Sequence, residues 1–148
     1  MYFRTRLKIH FLNVLKYSIS ISVTAVSTAY KAEKSSTAFF VIFIALSIIS
    51  AVYSYSWDIL IDWGLLRSCK RGRWLLWDKI LFPACFYYIA AFLDLIFRFV
   101  WVLSLYTSHV LKDFWGIYFQ VFLTDIIEWF RRSLWAALRL ENENINNF

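Results

Sequence analysis

The sequence predicts an all-α fold, a polytopic transmembrane helical bundle of about four spans. Three observations predict it. Of 148 residues, 61% are hydrophobic and only 18% charged, with a mean hydropathy of +0.56, against a soluble norm nearer half apolar and a quarter charged. A soluble domain of this length buries only part of its surface, so this apolar content needs lipid as solvent. The charges also gather between apolar runs, and one run, Thr37 to Trp57, carries no charge over 21 residues. At 1.5 Å per residue that run crosses a hydrocarbon core of about 30 Å.

The expected spans fall at about 11–30, 37–57, 81–108 and 114–138, with a polar C-terminal tail at 139–148 in which Glu141 to Asn147 are expected to be solvated. The first span is the least apolar. It contains Lys16 and many Ser and Thr residues, which suit a helix lining a polar path better than one facing lipid. The third run is long enough to span with tilt and has only Asp94 and Arg98 as charges. The fourth starts apolar and then carries Asp125, Glu128, Arg131 and Arg132.

Charge asymmetry sets the expected orientation. Arg67, Lys70, Arg71, Arg73 and Lys79 stand against Asp78 between the second and third runs, and Arg4, Arg6 and Lys8 mark the N-terminus. The loop after the third run holds only His109, Lys112 and Asp113. Both termini and the basic loop are therefore expected on the cytoplasmic side. Within that loop, Trp74 and Trp77 beside Arg73 and Lys79 suggest a short interfacial segment. The net charge of +6 is spent on such loops and headgroup contacts, which argues against a nucleic-acid partner. Cys69 and Cys85 lie in a basic loop and an apolar run, suggesting neither a disulfide framework nor a metal site.

Charges inside spans are the chemically informative residues, because each is expensive in hydrocarbon. Asp58 and Asp62 are four apart and share a helix face, as do Asp94 and Arg98, with Trp101 three further on. Arg131 and Arg132 follow Glu128 within helical reach, and Lys16 completes the set. The same residues admit structural roles. Asp94–Arg98 suits an intrahelical ion pair, Asp58 and Asp62 an interfacial position, Arg131, Arg132 and Lys16 snorkelling, and Trp101 an aromatic belt. Basic groups on several spans favour a shared anion site. Arginine offers a planar fork for two phosphate oxygens, and acids can hold the arginines and temper the affinity, as conduction requires. No nucleophile–base pair, paired histidines or Gly-rich phosphate loop is present, so neither an enzyme nor a cofactor is expected.

Four motifs carry a family resemblance. The stretch from Tyr53 through Trp57, Asp58, Asp62, Trp63 and Gly64 to Leu65 resembles the YS-x-x-WD-x-x-x-DWGL pattern of the EXS domain. Phe130, Arg131, Arg132 and Trp135, followed by Arg139 to Glu143 and Asn146 and Asn147, look like its FRR-x-x-W and RLENE endings. The Leu95–Trp101 helix is similar to its LRFAW segment, and Asn13 to Ser18 to its N-x-x-KYS segment. Ala136 and Ala137 stand where the family has Asn and Phe, and Asn144 where it has His. The resemblance implies the transport part of eukaryotic phosphate exporters related to the xenotropic and polytropic retrovirus receptor and to plant and yeast proteins. Such domains have about six membrane helices, usually behind an SPX domain. No SPX domain is recognised in this chain, which reads as a partial EXS domain over residues 1–148, completed by missing N-terminal EXS helices or by a homo-oligomer. The implied phosphate pathway comprises Lys16, Asp58, Asp62, Arg98, Arg131 and Arg132, gated by Trp101; Asp94 and Glu128 are the supporting acids the charge pattern adds. The expected site of action is the plasma membrane or a Golgi or ER membrane. A non-transporting ER or Golgi protein that retains or sorts other proteins is the rival reading, and a subunit completing another protein's bundle is a third.

The orientation is open to labelling. Cys69 is expected to react with an impermeant thiol reagent only from the cytoplasmic side, and labelling from outside intact cells overturns the orientation.

Overall fold

The computed structural model describes residues 2–32, 37–65, 81–102 and 114–147. These hold α1 (Tyr2–Ala32), α2 (Thr37–Trp57), α3 (Ala84–Arg98) and α4 (Phe114–Asn147), with a π-helix, Asp58–Asp62, continuing α2. The basic loop with Cys69, Trp74 and Trp77, and the loop with His109, Lys112 and Asp113, lie outside the described residues. Three of the described helical stretches are long and apolar enough to cross a membrane: Leu7–Ala32, Thr37–Asp62 and Ala84–Val102. The fourth expected span falls on α4, whose apolar run gives way to charge at Asp125.

The chain divides into two compact units, Met1–Ser54 and Tyr55–Phe148. The first is an antiparallel pair. Tyr30 near the end of α1 stacks on Phe43 at the start of α2, with centroids 6.4 Å apart. At the other end the Tyr53 hydroxyl donates to the Leu12 carbonyl at 2.9 Å. The residues of α2 are rich in Ile, Val and Phe, which in water favour strands. In lipid no solvent satisfies the backbone, and a helix closes its hydrogen bonds within one segment. The many hydroxyls of α1 are satisfied by their own helix. Ser18, Ser22, Thr24 and Thr28 donate to the carbonyls of Val14, Ser18, Ser20 and Thr24 at 2.9–3.2 Å. Their number alone therefore does not require a polar lining.

The second unit is built on two inward stripes. On α3, Tyr87, Ala90 and Asp94 are buried and Arg98 follows at the next turn, spacings of three and four that keep one face inward. On α4, Arg131, Trp135, Leu138 and Asn142 recur at the same period. Trp63 and Leu65, just past the π-helix, fill the core between Tyr87, Ala90 and Leu138, with Trp135 and Phe82 against it. The segment α3 starts after Pro83, whose fixed φ of −56° suits that position, and ends at Arg98, where the Phe99 N–H turns back to the Ile96 carbonyl at 3.0 Å. The Trp101 ring thus lies beyond an irregular turn, and regular helical spacing from Arg98 does not fix its direction.

The expectation of a solvated tail is corrected at Glu141 and Asn142. The helix α4 runs on to Asn147, and Glu141 and Asn142 are buried. Polar composition misled because these side chains find partners inside the protein. Leu, Ala, Arg and Glu between Leu134 and Glu143 favour helix, and Arg139 pairs with Glu143 at 3.0 Å one turn on. The Glu141 carboxylate accepts the Leu81 N–H at 2.8 Å and, at the same oxygen, the Tyr87 hydroxyl. The Asn142 amide donates to the Asp62 carbonyl at 2.9 Å and faces that of Ile61 at 3.4 Å.

Between these anchors Gly64 turns the chain at φ +63°, and a Cβ there would stand 2.8 Å from the Asn142 amide oxygen. Gly64→Ala is expected to cost about 1–3 kcal/mol through the left-handed backbone and this contact. A lowered thermal midpoint checks it, and an unchanged one removes the close approach as a constraint.

Candidate functional site

The ionisable residues of the second unit form a chain of alternating sign. Asp94, 1% exposed, lies on the inner stripe of α3. One of its oxygens accepts the Arg98 Nε–H at 3.1 Å, and the other faces Arg131 Nη1 at 3.5 Å. The other side of the Arg98 fork, Nη2, is paired with Asp58, which is 4% exposed. Arg131 closes a two-pronged contact on Glu128, at 2.9 and 2.8 Å, and Arg132 adds its Nε–H to the same carboxylate at 2.8 Å. Three helical segments are joined in this way. Edge-on packing of Phe97 against Phe130, at 6.0 Å, holds α3 and α4 together beside the two arginines.

Each pairing has a local cause. Asp94–Arg98 and Glu128–Arg132 are four apart and Glu128–Arg131 three apart, so one helix supplies both partners. Asp58 and Arg131 reach the centre only through packing. A buried carboxylate in apolar surroundings persists ionised when cations and hydrogen bonds surround it, and removing one partner from such a pair typically costs about 3–5 kcal/mol. Asp58, Asp94 and Glu128 are matched by Arg98, Arg131 and Arg132, so the chain is formally balanced.

Asp62 belongs to a second group one turn along. Its carboxylate accepts the Trp135 indole N–H at 3.0 Å and faces Arg139 at 3.7 Å. The Arg139 guanidinium also lies over the Trp135 ring, 5.0 Å from its centroid. Asp58 and Asp62 are both buried and lie on one π-helix, and they meet different partners, Asp58 on Arg98 of α3 and Asp62 on Trp135 of α4.

The expected site residues thus divide. Asp58, Asp94, Arg98, Glu128, Arg131 and Arg132 come together; Asp62 heads the neighbouring group. Lys16 lies on α1 in the first unit, with its ammonium 5.3 Å from the Tyr17 ring centroid. Trp101 is partly buried beyond the Phe99 turn. The Arg98 fork, expected to be open towards an anion, is filled by the Asp58 and Asp94 carboxylates. Arg132 has a side chain 74% exposed. Among the described residues no three His, Cys, Asp or Glu side chains gather as a metal would need. Trp135, Arg139 and Asn142 were not singled out as site residues, although their spacing of four and seven from Trp135 placed them on one face with Arg131.

Chemically, the arrangement presents two arginine forks held by carboxylates. A tetrahedral oxyanion offers the same oxygen spacing and can take a carboxylate's place on either fork.

Residues 1–145 match the EXS family. The chain is 34% identical over 143 residues to the Arabidopsis thaliana protein named phosphate transporter PHO1 homolog 10, covering 94% of this chain and 18% of that protein. It is 33% identical to human solute carrier family 53 member 1, over 93% of this chain and 21% of the relative. It is 32% identical to the Danio rerio xenotropic and polytropic retrovirus receptor 1 homolog, over 93% and 20%. The chain spans about a fifth of the length of these curated relatives. Its long apolar helices and these relatives make it an integral, multi-pass membrane protein, and the chain belongs to the EXS family.

Proposed function

We propose that the chain forms part of a pathway by which inorganic phosphate leaves the cytoplasm. One observation carries the reading: guanidinium groups from two helices, Arg98 and Arg131, converge on one buried carboxylate, Asp94. The relatives' printed names include a phosphate transporter, which supplies the substrate class. Phosphate arriving from water meets exposed Arg132 first. It then takes the place of Glu128 on Arg131 and of Asp58 on Arg98, so that each carboxylate it displaces is the partner that refills the fork behind it. A protonated phosphate oxygen can donate to a displaced carboxylate, which offsets the like charge. Lys16, Asp62 and Trp101 complete the pathway, with Trp101 as the gate, in a domain of four spans with cytoplasmic termini.

The energetics favour movement outward without a pump. An anion leaving a negative-inside compartment gains about 2.3 kcal/mol per charge per 100 mV. The carboxylates keep each site from holding phosphate too tightly, which conduction requires.

Phosphate flux in proteoliposomes, with the chain joined to the N-terminal EXS helices expected to complete it, tests the reading. Arg98→Lys keeps the charge and loses the fork, so flux is expected to fall about tenfold, the scale of one charge-assisted hydrogen bond, with thermal stability nearly kept. Wild-type flux in Arg98→Lys removes that residue from the pathway. Equal losses of flux and stability in Arg98→Ala assign it a purely structural role, and no phosphate flux at all returns the chain to a sorting or structural function. Removing the ring in Trp101→Ala is expected to raise basal flux while leaving phosphate binding intact. A flux that stays at the parent level shows that Trp101 does not gate.

A further inference from the structure

The π-helix Asp58–Asp62 is a costly turn held from one side. A π turn carries one more residue than an α turn, and persists where its surroundings fix it. Here its bond runs from the Trp63 N–H to the Asp58 carbonyl, 2.8 Å, and the Leu65 N–H reaches back to Ile59 at 3.0 Å. Gly64 then takes the chain out of helical backbone at φ +63°, just past the carbonyls of Ile61 and Asp62. The Asn142 amide serves both, at 3.4 and 2.9 Å. The Trp135 indole N–H holds the Asp62 carboxylate at 3.0 Å, and its ring is itself covered by Arg139. Trp135 and Asn142 are seven residues apart on α4, two turns on one face, so one helix grips both the backbone and the side chain of Asp62.

The consequence falls on Asp58. Trp63 and Leu65 are 3% and 6% exposed and anchored in the core, so the chain after the π turn is fixed. Any loss of the extra residue in the turn must be taken up on its other side, where Asp58 sits on Arg98. From this geometry we infer that Trp135 and Asn142 are positioning residues: by keeping the turn in its π form they hold the Asp58 carboxylate on Arg98 and so set how readily phosphate can take its place. The inference rests on the phosphate reading above and adds residues that touch neither the anion nor Arg98.

Equilibrium binding of radiolabelled phosphate to the purified chain in lipid nanodiscs tests it, with thermal midpoints measured alongside. Asp58→Asn weakens the competitor for Arg98 and is expected to tighten phosphate binding about tenfold. Trp135→Phe keeps the ring over Arg139 and removes only the N–H, and is expected to tighten binding about threefold to tenfold, the scale of one hydrogen bond. Asn142→Ala, acting on the backbone side of the same turn, is expected to do likewise, and serves if Trp135→Phe does not fold. The decisive comparison is the double variant: Trp135→Phe added to Asp58→Asn is expected to change nothing further, because its effect runs through Asp58. Parent-like affinity in both Trp135→Phe and Asn142→Ala, with Asp58→Asn tightened, overturns the positioning role and leaves the phosphate site standing. Additive effects in the double variant also overturn it. Unchanged binding in both Asp58→Asn and Arg98→Lys instead overturns the phosphate reading itself.

Discussion

A carboxylate at the centre of an apolar helix face constrains everything around it. Asp94 sits in the middle of α3 with 1% of its surface exposed, one turn beyond Ala90 and two beyond Tyr87. An ion in that position needs cations within reach, and a single neighbour on its own helix would leave half of its oxygens unserved. Arg98 supplies one side and Arg131 the other, which fixes the rotation of α4 against α3. The remaining donors of Arg98 then need an acceptor of their own, and Asp58 brings in the end of the segment that continues α2. Each charge added to satisfy the previous one recruits another helix. The apolar contacts, such as Phe97 on Phe130, give little direction by themselves in a lipid solvent, so the buried ions specify the packing.

The last turns of α4 extend the same logic from charges to backbone. Glu141 and Asn142 are neighbours, and successive helical residues point about 100° apart, so the two side chains serve different clients. Glu141 takes the Leu81 N–H and the Tyr87 hydroxyl where the chain enters α3, and Asn142 takes the carbonyls where the π-helix ends. One stretch of helix therefore holds both flanks of the 66–80 connection. A polar tail becomes a buried clasp because its amide and carboxylate are the groups that can match stray backbone donors and acceptors.

What could be read from sequence follows from what is local. The uncharged Thr37–Trp57 run specifies a helix by length alone, and the four-residue spacing of Asp94 and Arg98 specifies their pairing. The family motifs lead to the EXS family. The π-helix was not legible, because nothing in the residues Asp58–Asp62 marks an extra residue per turn; the spacing of four placed Asp58 and Asp62 on one face but could not say that one meets Arg98 and the other Trp135. The Phe99 turn escaped in the same way and removed the simple relation between Arg98 and Trp101. The hydroxyls of α1 were legible in number but not in partner, since back-bonding to the preceding turn is invisible in composition. Arg139, Asn142 and Trp135 could have been found by carrying the period of Arg131 onward through a tail set aside as polar.

The balance of the ion chain bears on how an anion could move through it. A row of bare arginines would attract phosphate strongly and release it slowly, whereas carboxylates on every fork leave a site whose attraction appears only as a carboxylate swings away. In the proposed pathway, passage is then an exchange of one oxyanion for another on the same guanidinium, and the protein is never left with a buried unpaired cation. The control point in such an exchange is the freedom of the carboxylates rather than the strength of the arginines. Asp94 has little freedom, being 1% exposed between two cations on a regular helix; Glu128 has more, with 44% of its side chain exposed. Asp58 lies between them in kind. Its side chain is buried, but its backbone belongs to a turn that one residue's register separates from an ordinary α-helix. Of the three carboxylates, it is the one whose place on an arginine depends on a feature of the backbone, and the contacts that preserve that feature come from Trp135 and Asn142 on the same face of α4.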